Sequence, residues 1–127
     1  VIVGVGIDLC EVARLAELED RYGERFVSRV FRPAEEERCR GRRRHECLAG
    51  RFAAKEAALK ALGTGLSQGI GWHDIELARG ESQRPIIVFH RRAREIFQQL
   101  GGTRVSVSIS HDGGHAVAVV IVEGGGR

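Results

Sequence analysis

The first eight residues alternate along the chain. Val1, Val3, Val5 and Ile7 fall on one face of an extended strand, and Ile2, Gly4, Gly6 and Asp8 on the other. Asp8 therefore stands at the strand end, on the face where two glycines leave room for a close neighbour. The period changes in EVARLAELEDRYG, where Val12, Leu15 and Leu18 take helical spacing and Gly23 offers a stop. Arg14, Arg21 and Arg25, at spacings of seven and four, form one basic stripe if that helix runs far enough. In FRPAEEERC, Pro33 suits the first position of another helix, and Glu35, Glu36 and Glu37 suit its positive end. GRRRHE reads as an exposed basic turn, and a long helix is predicted from His45 to Leu62, ending at GTG. HDIELA and PIIVFH read as a strand pair turned by RGESQR, and RRAREIFQQLGG as a helix closed by glycine. The strongest hairpin signal comes last. Val105, Val107 and Ile109 alternate with Ser106, Ser108 and Ser110, DGG turns the chain, and an apolar strand returns. The pattern predicts a single α+β domain over residues 1–123, with a small antiparallel sheet packed against about four helices. Residues 124–127 read as a flexible tail.

The long helix carries the chain's only lysines, Lys55 and Lys60, although lysine and arginine together number 20. Five alanines, Phe52, Leu59 and Leu62 make this helix apolar enough to be largely buried. Glu56 and Lys60, one turn apart, share a side, whereas Lys55 points elsewhere. A solvated Glu–Lys pair is the plain interpretation, but the alanine-rich surround argues for charges held near the interior, where they need partners. A carboxylate and an ammonium side by side also suit phosphate chemistry, the first as a hard ligand for magnesium and the second as a point charge for phosphate oxygens. Asp8 offers a second carboxylate, and two carboxylates with substrate phosphates are a common magnesium arrangement.

Composition narrows the class. The chain has 127 residues, 43% of them hydrophobic, which suffices for one core. The longest apolar runs are too short to span a membrane, and Asp8 and Glu11 argue for a strand over a signal peptide at the start. Net charge is +3, which favours an acidic or phosphorylated partner. Cys10, Cys39 and Cys47 form an odd set without framework spacing, so reduced thiols in a cytoplasmic setting are expected. A zinc site at Cys39, His45 and Cys47 fits no familiar spacing. A small basic nucleic-acid-binding module is the rival class, supported by RCRGRRR but opposed by the single Tyr and single Trp available for stacking.

Three segments in order, GVGIDLCEVARL, GRFAAKEAALKALGTG and VSVSISHDGGHAVAVVIVE, resemble the bacterial holo-acyl-carrier-protein synthases, the short type of 4′-phosphopantetheinyl transferase. The resemblance covers nearly the whole chain and implies that family's fold. It implies transfer of 4′-phosphopantetheine from coenzyme A to a serine of apo acyl carrier protein, with magnesium, releasing adenosine 3′,5′-bisphosphate. It maps the metal ligands onto Asp8 and Glu56 and the phosphate-binding lysine onto Lys60, with Glu56, directly or through a bound water, helping to remove the serine proton. It places Gly63, Thr64, Gly65, Arg84, Pro85 and His111 near coenzyme A. Arg14 and Arg21, with Arg25 less firmly, would grip the acidic carrier protein. The family is commonly trimeric with sites between subunits, so a homotrimer is expected, acting without nucleic acid or membrane. Lys55 is expected to pair with an acid or to reach phosphate from the side. Arg32 and Pro33 stand where relatives often have a small hydroxyl residue, so the helix cap there is expected to differ.

Overall fold

The computed structural model describes residues 1–125. Strand β1 (Ile2–Glu11) leads directly into helix α1 (Val12–Tyr22). Gly23, at φ 59°, breaks the helix there, and α2 (Glu24–Val30) departs on a new axis. Arg25 therefore belongs to α2, and the basic stripe expected to include it is confined to Arg14 and Arg21 on α1. Helix α3 (Pro33–Arg38) and the long α4 (Arg44–Leu62) follow, then the strand pair β2 (Ile75–Arg79) and β3 (Pro85–Phe89). Helix α5 (Arg91–Gln99) precedes the terminal hairpin of β4 (Gly102–Asp112) and β5 (His115–Gly124). The break at Gly23 makes five helices of the expected four.

Every strand pairing is antiparallel. One sheet runs β1-β5-β4, and β2-β3 forms a separate two-stranded ribbon. Gly113 and Gly114, both at positive φ, turn the terminal hairpin, which pairs Asp112 with His115. Gly124 is still paired, opposite Gly102, so β5 reaches into the segment expected to be a tail; Gly126 and Arg127 lie outside the described residues.

Helix α4 lies across the inner face of the three-stranded sheet. Its Ala53, Ala54, Ala57 and Ala58 are fully buried and meet Ala116, Ala118, Val120 and Val122 of β5. The alanines allow close packing and the β1 glycines complete it. A Cβ at Gly4 would land on the carbonyl of Ala61, and one at Gly6 on the carbonyl of Ala57. Strand and helix backbones are thus in contact, as the glycine pattern requires. The outer face of the sheet stays uncovered: Val3, Val5, Ile7 and Leu9 of β1 are exposed beside half-buried Val117, Val119 and Ile121 of β5.

Charged groups fix the remaining helices. Glu35 and Lys55 are both fully buried and paired at 2.9 Å. Glu35 also accepts the Arg32 N–H at 2.8 Å and the Leu77 N–H at 2.7 Å, so it caps α3 in place of a hydroxyl residue. Lys55 Nζ donates to the carbonyls of Ile75 and Trp72. Burial pushes the Lys55 pKa below its ordinary value, against the attraction of Glu35. Of its two expected roles, Lys55 takes the acidic partner. Arg44 forks onto Glu19 and reaches Glu36, tying α1 and α3 to α4.

The cysteines differ from the reduced set expected. Cys39 and Cys47 form a disulfide, because the short turn between α3 and α4 brings their Cα atoms to 5.3 Å, and Cys10 stays free and buried. His45 points instead to Glu19, at 2.8 Å.

Candidate active site

Asp8 leaves β1 on the face that touches α4, which brings it to the turn of the helix carrying Glu56 and Lys60. Lys60 Nζ sits 2.9 Å from Asp8 Oδ1 and donates to the Ile7 carbonyl at 3.0 Å. Its side chain remains 56% exposed, so the ammonium reaches solvent while anchored at one end. Glu56 is half-buried, and its carboxyl pKa lies above the ordinary value. Burial is the main cause and the charge of Asp8 the second, while Lys60 and Arg14 pull the other way. Cys10 is buried beside the same charges, and burial pushes its thiol up to about 11. Asp8, Glu56 and Lys60 therefore form one cluster at a strand–helix seam.

The two carboxylates fit a hard divalent cation. They supply oxygen ligands, and the charge of Asp8 opposes the ionisation of Glu56, which a cation between them would relieve. Among the described residues no group of three or more His, Cys, Asp or Glu is placed to enclose a metal, so any further ligands would come from substrate or solvent.

Gly63, Thr64 and Gly65 close the C-terminal end of α4. Gly63 is left-handed, and its N–H and that of Thr64 donate to the Leu59 carbonyl. Pro85 and His111 gather elsewhere. With Cys47, Arg51, Arg79 and Ile109 they line a cavity of about 150 Å³ on the flank of α4. His111 shares a hydrogen bond with the Glu46 carbonyl at 2.9 Å and crosses Gly50, where a Cβ would meet the ring at 2.9 Å. Arg84, exposed, lines a neighbouring surface hollow with Pro85 and the outer half of β4. Along the α4 axis, Arg51 and Gly63 are separated by ~18 Å. One chain thus holds the expected residues in two groups and does not bring them into one pocket.

Arg51 is the residue that the sequence reading passed over. Its Nε is buried without a hydrogen-bond partner, its pKa is lowered first by burial, and Arg79 and Arg38 add like charge. Glu35 supplies some opposite charge but is committed to Lys55. A cationic cavity with an unsatisfied donor is suited to an anion. The signal in the sequence is an arginine on an apolar helix with no acid three or four residues away. Arg14 and Arg21 are exposed on α1 and make no ion pair among the described residues. In the basic turn, Arg40 and Arg44 are engaged by Glu36 and Glu19, which leaves less of a free cationic surface than RCRGRRR suggests.

Paired carboxylates, a neighbouring ammonium and a separate cationic cavity arranged along α4 are the equipment of an enzyme that handles phosphate esters. The chain belongs to the 4′-phosphopantetheinyl transferase superfamily, whose family model matches residues 4–120. It is 48% identical over 123 residues to the holo-[acyl-carrier-protein] synthase of Koribacter versatilis, spanning 96% of this chain and 98% of that one. Its structure is similar to that of the Helicobacter pylori holo-[acyl-carrier-protein] synthase in complex with coenzyme A. That match has a TM-score of 0.82 and 33% identity over 94% of this chain and 99% of the other. The Bacillus anthracis holo-(acyl-carrier-protein) synthase in complex with CoA (3′,5′-ADP) matches with a TM-score of 0.76 and 35% identity, over 97% of each chain. No helix among the described residues is long and apolar enough to cross a membrane.

Proposed function

We propose that this chain transfers 4′-phosphopantetheine from coenzyme A to a serine hydroxyl of apo acyl carrier protein, releasing adenosine 3′,5′-bisphosphate. The Asp8–Glu56–Lys60 cluster carries the reading. Asp8 and Glu56 would hold magnesium, which when bound neutralises charge developing on the pyrophosphate. Lys60, exposed although it bonds Asp8 and the Ile7 carbonyl, would turn its ammonium to the α-phosphate that becomes the leaving group. Glu56, its carboxyl pKa raised by burial, is suited to take the serine proton. The Arg51 cavity, with Pro85 and His111, would seat a phosphate of the nucleotide, with Arg84 alongside it and Gly63, Thr64 and Gly65 near the coenzyme. Unpaired Arg14 and Arg21 would meet the acidic carrier protein.

The two groups of residues would complete one site by lying on different subunits. The uncovered apolar face of β1 and β5 supports a homotrimer of this kind. A cytoplasmic setting goes with these substrates, and it makes the redox state of Cys39 and Cys47 a live variable.

The test is mass spectrometry of apo acyl carrier protein incubated with the protein, coenzyme A and magnesium. One phosphopantetheine should be gained and the gain lost with chelator. Glu56→Gln and Lys60→Ala should each slow it by ~10² to 10⁴-fold. No gain with several carriers would sink the reading, and a gain that survives both substitutions would sink the site assignment.

A further inference from the structure

The cavity that holds Arg51 also holds a sulfur. Cys47 is half-buried in its wall, with Sγ 3.0 Å from Arg51 Nη1, while its partner Cys39 is 2% exposed behind it. The disulfide sulfur is uncharged, so the Arg51 guanidinium faces the cavity without an anion of its own. We propose that Cys39–Cys47 is a reversible thiol–disulfide site that sets the anion affinity of this cavity. The proposal rests on the reading of the cavity as a nucleotide-phosphate site.

The reaction is a two-electron exchange with a dithiol reductant. One thiolate of the reductant attacks Cys47 Sγ, the accessible sulfur. The S–S bond breaks, and Cys39 leaves as a thiolate and takes a proton. The second thiolate of the reductant then attacks the mixed disulfide, closing the reductant into a cyclic disulfide and releasing Cys47 as a thiolate. Beside Arg51, Cys47 stays ionised, since a neighbouring guanidinium favours thiolate over thiol. The sulfur beside Arg51 Nη1 then carries a negative charge that competes with a phosphate for the guanidinium. Oxidised protein holds the phosphate tightly, and reduced protein holds it loosely.

The two single serine variants separate charge from cross-link. Both lose the same disulfide, but only Cys39→Ser leaves a thiolate beside Arg51. Adenosine 3′,5′-bisphosphate, which carries no thiol, is the probe, and its Kd is read by titration calorimetry. Reduction of the wild-type protein should raise Kd about tenfold, the effect of one weakened charge-assisted hydrogen bond. Cys39→Ser should bind about tenfold more weakly than Cys47→Ser, and only Cys47→Ser should be indifferent to both reductant and thiol oxidation. Equal Kd values for the two variants, or no change on reduction, would overturn the proposal. Undetectable binding in every form would instead remove the nucleotide reading of the cavity, and the proposal with it.

A second readout needs no variant. Cys47 contacts Arg51 and shares its cavity with Arg79 and His111, and Arg38 and Glu35 add their charges around the Arg51 guanidinium. Alkylation of Cys47 in the reduced wild-type protein should reach half its maximal rate well below the ordinary thiol value of ~8.5. An ordinary value would also overturn the proposal.

Discussion

Glu56 is the residue whose chemistry depends most on its neighbours. Its carboxyl is pushed up by burial and then by Asp8, and held back by Lys60 and Arg14. Removing each neighbour should move it in a known direction. Carboxyl-carbon NMR titration should find the Glu56 pKa lower in Asp8→Asn and higher in Lys60→Ala than in the parent protein; a shift of opposite sign in either would break the picture of one coupled cluster. The folded state holds the Glu56 proton more tightly than the unfolded chain does. Its contribution to stability is therefore fully present below the ordinary carboxylate value and is lost as pH rises through the raised one. If Glu56 acts as proposed, activity should run the other way, since a metal ligand and proton acceptor must be ionised. Lys55, its neighbour in sequence, shows how little adjacency means on a helix: it is buried against Glu35, and its ammonium is held by carbonyls and not by substrate.

At the scale of elements, the seam between β1 and α4 decides whether Asp8 and Glu56 meet. Gly6→Ala would drive a methyl into the Ala57 carbonyl. The two elements would have to part, at about 1–3 kcal/mol of overpacking. Thermal unfolding should show that loss, together with reduced phosphopantetheine transfer; a variant as stable and active as the parent would mean the seam is softer than its geometry. Much of this was legible in the sequence. Alternation in VIVGVGID marked the strand, its face and the close approach, and the alanine run marked the buried helix. Gly23 was read as a stop but not as a pivot into a second helix, because a φ-permissive residue marks a break without giving the direction taken beyond it. The Cys39–Cys47 bond was missed because spacing in sequence does not reveal how a short turn brings two Cα atoms together. Arg51 was missed because an unpaired donor is a property of the space around a side chain.

For the whole molecule, the outer face of the three-stranded sheet is an exposed apolar surface. Val3, Val5, Ile7 and Leu9 lie there, exposed in a single chain of 14.0 kDa. Val5→Asp should leave the inner core intact but shift sedimentation equilibrium from three times 14.0 kDa toward one, with transfer activity falling alongside. A parent protein that sediments as a monomer and is fully active would show that one chain suffices. The seam between β1 and α4 has a further consequence for how such a molecule can change. Where two backbones touch, no side chain sets the spacing between them. The gap between Asp8 and Glu56 is then a dimension of the scaffold, insulated from drift in the surrounding core. Apolar exchanges in the surrounding core, valine for isoleucine among them, should then leave that gap unchanged so long as Gly4 and Gly6 are kept.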